Sequence, residues 1–80
     1  MDRSIRMAKR NFPARLARLR GDRSQRRFAR DLGVFQQNIN RYELGQSVPD
    51  FAFLVTVAMR ENVRLDWLVF GRGSMSAGRN

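Results

Sequence analysis

The most distinctive chemical groups of this chain are side-chain amides between residues 36 and 40. They are Gln36, Gln37, Asn38 and Asn40, and Arg41 follows them. An exposed helix ordinarily favours other residues, because an Asn amide competes with the backbone for hydrogen bonds. An amide donates and accepts at once, so it matches the N6/N7 edge of adenine, while an Arg matches the O6/N7 edge of guanine. The cluster therefore suits the reading of base edges.

A helix over this segment would have two different faces. At about 100° per residue, Phe35, Ile39 and Tyr42 fall together, and we expect that side to face the core. The residues left outside are polar: Gln36 at the border, then Gln37, Asn40 and Arg41. Solvated surface would explain any one of them, but four together in a basic chain favour contact with DNA bases.

The net charge indicates the same class of partner. The 80 residues include 16 Lys and Arg but only 7 Asp and Glu, a net charge of +9, and all but one of the basic residues are Arg. The codon bias of a GC-rich genome would explain the choice of Arg over Lys but not the net charge. So positive a small domain favours a polyanionic partner.

Composition also excludes several classes of protein. The chain has no Cys and no His, the usual nucleophile, general base and zinc ligands, so we predict no enzyme, metal or cofactor. The longest uncharged run, 51–59, is about half of a membrane span. No apolar stretch follows the basic N-terminus, as a secretory signal requires. We expect a cytoplasmic protein without membrane contact or a small-molecule effector.

The elements that must position the amides are short helices. Apolar spacing, N-caps and Gly or Asn stops predict helices over 12–20, 25–32, 36–43, 51–61 and 65–70. Phe12-Pro13 resembles a helix start, and Ser24 and Asp50 are good N-caps. Because so few residues follow Gly33 before the third helix, helices two and three must cross steeply, as in a helix-turn-helix.

The same patterns predict the core and the ends of the chain. In the fourth helix we expect a stripe of core residues formed by Phe51, Leu54, Val55 and Ala58. Val57 and Met59 would widen this stripe. Residues 1–11 read as a basic N-terminal arm, with a partly helical arm as the alternative. Residues 12–71 read as the domain, and 72–80, rich in Gly and Ser, as a flexible tail.

The segment SQRRFARDLGVFQQNINRYELGQSVPD, residues 24–50, resembles the helix-turn-helix of the lambda-type repressor and Cro family, also called the Xre family. The matching positions are Ser24-Gln25, Phe28-Ala29, Leu32-Gly33-Val34, Ile39, Tyr42-Glu43, Gly45 and Pro49. LDWLVFG, residues 65–71, is similar to the closing helix of the family. The resemblance covers 12–71 and implies a compact all-α, five-helix, lambda-repressor-like DNA-binding domain.

The resemblance also implies roles for individual residues. Base reading falls to Gln36, Gln37, Asn40 and Arg41. Phosphate binding falls to Gln25, Asn38, Gln46 and Ser47. Arg26 is added from its place on the second helix, away from Phe28 and Leu32, although solvation explains it equally well. Gln25 would also brace the first residue of the reading helix. Glu43 would pair with an Arg of the first helix, for which Arg20 is the candidate, in a salt bridge that holds the fold.

Three positions depart from the family pattern. Phe35 stands where a capping Ser or Thr is usual; we expect it to fill the core, the alternative being contact with a thymine methyl. Arg23 occupies a position that is usually apolar, which leaves the Arg20 pairing open. Arg64 replaces the usual cap of the last helix.

The leading hypothesis is sequence-specific binding of double-stranded DNA by a phage or bacterial transcriptional repressor. We expect a homodimer on a pseudo-palindromic operator, with Trp67 and Phe70, or exposed apolar residues of the fourth helix, as dimer contacts. An antitoxin or adaptor that binds a protein is the alternative, through an apolar patch of Val57, Met59 and Phe70. The third hypothesis is non-specific binding of nucleic acid through charge.

Overall fold

Five α-helices form the body of the molecule in a computed structural model that describes residues 2–78. The helices are α1 (Arg3–Arg20), α2 (Gln25–Leu32), α3 (Gln36–Glu43), α4 (Phe51–Glu61) and α5 (Leu65–Phe70). Across 2–78 the structure contains one isolated β-bridge and no extended strand. The predicted all-α, five-helix, lambda-repressor-like fold is confirmed. The bounds of α2 to α5 agree with those predicted.

The start of α1 was predicted wrongly. The helix begins at Arg3, where the Asp2 carboxylate accepts a hydrogen bond from the backbone N–H of Ser4 at 2.6 Å. Residues 3–11, predicted as an arm, are therefore helical and continuous with the rest of α1, and Pro13 lies inside the helix. Apolar periodicity could not reveal this segment, because it is almost entirely exposed and buries no stripe.

One apolar core joins all five helices. Its buried members are Phe12, Leu16, Phe28, Ala29, Leu32, Ile39, Phe53, Val57, Val63, Trp67 and Leu68. Helix α1 packs on α3 and α5, while α2 packs on α3 and α4. Helix α3 is thus held between α1 and α2, with its remaining surface outside the core.

The edge of helix α4 that faces the core agrees with the prediction only in part. Phe53 and Val57 are buried and Leu54 is partly buried, whereas Phe51 is 80% exposed and Met59 is 77% exposed. Nearly every position from 51 to 59 is apolar, so the hydrophobic pattern alone cannot select the buried edge. The docking of α4 on α2 and α5 selects it.

The tail is not free within the described residues. The backbone N–H of Arg64 donates to the Met75 carbonyl at 3.0 Å, and that of Ala77 donates to the Asn62 carbonyl at 2.9 Å. Met75 packs against the core. Within 72–78, the segment predicted as a flexible tail therefore forms hydrogen bonds with backbone groups of the turn between α4 and α5. The last two residues lie outside the described part of the chain.

Trp67 belongs to the core rather than to a surface. Its side chain is 5% exposed, and the Arg18 guanidinium carbon lies 5.9 Å from the ring centroid. So buried an indole offers almost no area to a second copy, and Trp67 is corrected from a dimer contact to a core residue. Phe70, at the end of α5, is 47% exposed.

None of the helices within residues 2–78 has both the length and the apolar character needed to cross a bilayer.

Candidate nucleic-acid interface

A tight turn sets the angle between α2 and α3. Gly33 adopts a left-handed conformation (φ 72°), and its N–H donates to the carbonyls of Ala29 and Arg30. The N–H of Val34 also donates to the Ala29 carbonyl, at 3.0 Å. A residue with a Cβ is strained at this φ, so glycine suits the turn. Val34 then packs on the core, and α3 starts two residues later.

Helix α3 is buried along one narrow stripe. Ile39 is fully buried, and the ring of Tyr42 packs on Phe53 with centroids 4.5 Å apart. Burial, reinforced by the negative charge of Asp50, raises the pKa of Tyr42. The opposite face is exposed and carries the residues predicted to read bases: Gln36, Gln37, Asn40 and Arg41.

These polar side chains share one continuous surface. Gln25 of α2 lines an open depression together with Gln36, Gln37 and Asn40. Gln37 and Asn40 also line a neighbouring depression with Arg41. The structure therefore brings the four predicted base-reading residues together and adds Gln25 at their edge. Such a surface offers several amide donors and acceptors next to a guanidinium.

A polar network anchors the C-terminal end of α3. Arg20 Nε donates to Glu43 Oε2 at 2.8 Å, and Arg20 Nη2 donates to Glu43 Oε1 at 3.0 Å. The hydrogen bond with Glu43 raises the pKa of Arg20. Gln25 Nε2 donates to Glu43 Oε1 at 3.0 Å. The pair expected from the resemblance is thus formed, while Gln25 braces the last residue of α3 instead of the first.

The residues predicted to bind phosphate lie around this face in different settings. Arg26 is exposed in the first turn of α2, and Gln46 is exposed after α3. Ser47 is partly buried in the same loop. Asn38 is also partly buried, and its Oδ1 accepts a hydrogen bond from Arg41 Nη2 at 2.9 Å. The structure therefore ties Asn38 to a base-reading candidate, and this contact orients the guanidinium.

A basic groove beside the loop was missed by sequence reasoning. The N-terminal half of α1 and residues 45–49 enclose an open cavity of about 360 Å³, and Arg6, Lys9 and Arg10 line it. Treating residues 1–11 as a separate arm hid this placement. Because α1 is continuous, these cations are held at fixed positions next to the loop.

Arg23 forms a second ionic anchor, which the sequence did not reveal. Its guanidinium donates to Glu61 Oε1 at 2.7 Å, to Asp31 Oδ2 at 3.1 Å and to the Leu19 carbonyl at 2.9 Å. It also lies 4.6 Å from the centroid of the Phe28 ring. The hydrogen bond with Glu61 is the main cause that raises the pKa of Arg23. This Arg joins α2 to α4 and to the end of α1.

Phe35, which precedes α3, points away from the core. It is the N-cap residue, with φ −77° and ψ 140°, and makes no capping hydrogen bond through its side chain. Its side chain is 80% exposed, so the prediction that it fills the core is wrong. The helical angle that grouped it with Ile39 does not apply, because its backbone is extended and not helical.

The fold and this surface define a helix-turn-helix protein. A family model described as "Helix-turn-helix" matches residues 15–68, well over half of the chain. The chain therefore belongs to the Cro/C1-type, Xre-like helix-turn-helix family. The family is a DNA-binding, regulatory one and generally non-enzymatic, so the protein is a DNA-binding helix-turn-helix regulator. No curated protein and no solved structure matches the chain.

Proposed function

We propose that the protein is a sequence-specific transcriptional repressor of phage or bacterial origin that reads the major groove with α3. One observation carries the proposal: the outer face of α3 presents Gln36, Gln37, Asn40 and Arg41 to solvent while Ile39 on its inner face is fully buried. A helix of eight residues is about 12 Å long, and the groove admits it.

The chemistry of each group suggests its task. The amides of Gln36, Gln37 and Asn40 each suit the paired donor and acceptor of an adenine, and each good pair discriminates by about 1–3 kcal/mol. Arg41, held by Asn38, suits the two acceptors of a guanine. These contacts select a sequence because a wrong base leaves desolvated polar groups without partners.

Phosphate contacts would set the register of α3 in the groove. Gln25 lines a depression with three of the base-reading candidates, Arg26 is exposed in the same turn of α2, and Gln46 and Ser47 lie in the loop that follows α3, so we assign phosphate binding to them. The amide nitrogen of Asn38 completes this set. Each neutralised phosphate releases counterions, so affinity should fall steeply as salt rises.

The proposed working form is a homodimer on a pseudo-palindromic operator. After Trp67 is assigned to the core, the remaining candidate dimer contacts are Phe70, half-exposed at the end of α5, and the exposed apolar residues Phe51 and Met59 of α4. Two copies related by a two-fold axis would read half-sites about one helical turn apart. Occupation of such an operator in the cytoplasm would block transcription.

Selection from random duplex DNA at near-physiological salt tests this proposal. We expect a pseudo-palindromic motif, and Gln37→Ala should then relax the preference at one base pair per half-site. Gln46→Ala is the matched control, since it removes an amide assigned to a phosphate and should weaken binding equally for all sequences. Flat enrichment of the bound DNA would show that charge alone does the binding, and the proposal would fail.

A second candidate function is that of an antitoxin or adaptor that binds a protein partner with this scaffold. The exposed apolar side chains of Met59 and Phe70 favour it. Val57, which was expected in the same patch, is fully buried and drops out of it. Flat enrichment together with a saturable protein complex that Met59→Ala weakens would support this candidate over the first.

A further inference from the structure

Phe35 has a large apolar side chain that does not belong to the core. It directly precedes the amide face and is 80% exposed. It therefore contributes almost nothing to the core, although the neighbouring Val34 packs there. What distinguishes this ring from other exposed apolar side chains is its place, because it lies directly before the face of α3 that is proposed to read bases.

Phe35 also fails to cap the helix that it precedes. The N-cap residues of α1, α2 and α4 are Asp2, Ser24 and Asp50, and the side chain of each accepts a hydrogen bond from a backbone N–H of its helix. At α3 the N-cap side chain makes no such bond. The first N–H groups of a helix have no partner within the helix, so a Phe here gives up a stabilising contact that Ser would provide.

The position of Phe35 explains what the ring could meet. In a helix-turn-helix the N-terminal end of the second helix contacts base edges. Phe35 is next to Gln36 at that end, and its extended backbone turns the ring away from Ile39 and the core. The edges in the major groove are polar apart from one group, the 5-methyl of thymine.

We propose that Phe35 is a specificity-determining residue that contacts the 5-methyl group of one thymine in each half-site. The inference rests on the proposed function, because it requires that α3 lies in the major groove. The ring then discriminates a 5-methylated pyrimidine from one that lacks the methyl. The amides of Gln36 and Gln37 suit polar atoms of the base edges instead.

Replacement of thymine by deoxyuridine in the selected operator tests the contact, since only the methyl group is removed. Each thymine is replaced in turn and the Kd is measured by fluorescence anisotropy. We expect one thymine per half-site at which the wild-type protein loses about fourfold in affinity, the factor for one buried methyl-sized group. Phe35→Ala should bind the thymine and deoxyuridine forms of that site equally.

Two further variants separate this contact from folding and from general apolarity. Phe35→Ser supplies a capping hydroxyl like that of Ser24, so its Tm should rise while the discrimination disappears. Phe51→Ala is the matched control, because Phe51 is also 80% exposed and also lies at a helix N-terminus. Whatever it does to overall affinity, this variant should retain the fourfold ratio between the two forms of the site.

A complementary test uses cytosine. When cytosine replaces the same thymine, 5-methylation of that cytosine should restore affinity for the wild-type protein but not for Phe35→Ala. The inference is overturned if no thymine shows the effect, or if Phe35→Ala keeps the wild-type ratio. These results differ from a failure of the proposed function, in which random DNA would yield no motif in which to replace a thymine.

Discussion

Helices α2 and α3 have the same length and flank the same glycine turn, yet they differ in how many side chains they bury in the core. Both contain eight residues. Helix α2 buries Phe28, Ala29 and Leu32, whereas α3 buries Ile39 alone. The difference shows that α2 contributes three side chains to the core, while α3 contributes one and keeps most of its surface exposed.

The two helices also differ in their ends. Ser24 caps α2 by accepting a hydrogen bond from the Arg27 N–H at 3.0 Å, whereas α3 has no side-chain cap. Instead, α3 is anchored at its last residue, Glu43, by Arg20 and Gln25. An anchor at the C-terminal end leaves the N-terminal end free, and that is the end that approaches base edges in this class of protein.

The largest expected effect comes from the core of α2. Phe28→Ala removes a fully buried ring that also lies under Arg23, and we expect a loss of about 3–5 kcal/mol in the free energy of unfolding. Urea unfolding followed by circular dichroism measures it. Phe35→Ala, which removes the same side chain from an exposed position, should change stability by no more than about 0.5 kcal/mol. Equal losses at the two positions would contradict the comparison.

The next effect concerns the anchor of α3. Glu43→Gln keeps the shape of the side chain but removes the charge that Arg20 and Gln25 bind, so we expect a loss of about 1.5–3 kcal/mol. Hydrogen exchange should show faster opening of α3 than of α2. Asp66→Asn, which breaks the exposed pair with Arg64, is the control and should leave the unfolding midpoint nearly unchanged. Uniform opening of both helices would indicate that α3 has no separate anchor.

A smaller pair of effects should have opposite signs at the two N-caps. Ser24→Ala removes the cap of α2 and should cost about 1 kcal/mol, whereas Phe35→Ser adds a cap to α3 and should gain a similar amount. Thermal unfolding of the two single variants and the double variant measures both changes. A lower Tm for Phe35→Ser would contradict this comparison of the two N-caps, because it would show that the Phe35 ring stabilises the fold.

The smallest expected effect on stability is at the reading face. Gln37→Ala changes an exposed side chain and should alter the free energy of unfolding by no more than about 0.5 kcal/mol. The same variant should lose base preference in the selection from random DNA. A large destabilisation would mean that the amide face contributes to the stability of the fold. The contrast between the exposed face of α3 and its buried side would then not hold.

Local signals in the sequence were sufficient for most of the helical architecture. The bounds of α2 to α5, the caps at Ser24 and Asp50 and the stop at Asn62 were all predicted, and the structure confirms them. A cap or a stop depends on residues within one helical turn, so the sequence displays it directly. The exposed face of α3 follows from the same local periodicity once Ile39 is assigned to the core.

Other features depended on contacts between distant parts of the chain. Arg23 reaches Glu61, 38 residues away, and no local signal predicted this pair. Arg20 reaches Glu43, 23 residues away, and only the family resemblance had indicated that pairing. Composition contains many Arg residues with similar local surroundings, so only the packing of the helices decides which of them find a carboxylate. The same holds for the edge of α4 that is buried and for the tail that pairs with the turn after it.

The amino-acid sequence by itself thus determined helices α2 to α5, the turn at Gly33 and the polar character of the face that α3 exposes. Tertiary structure alone decided that Phe35 stays in water and that the basic half of α1 lies beside the loop after α3. The physical reason is the distance along the chain over which each interaction acts. Hydrogen bonds within a turn and the 3.6-residue period act over a few positions, whereas burial is settled only when whole helices meet.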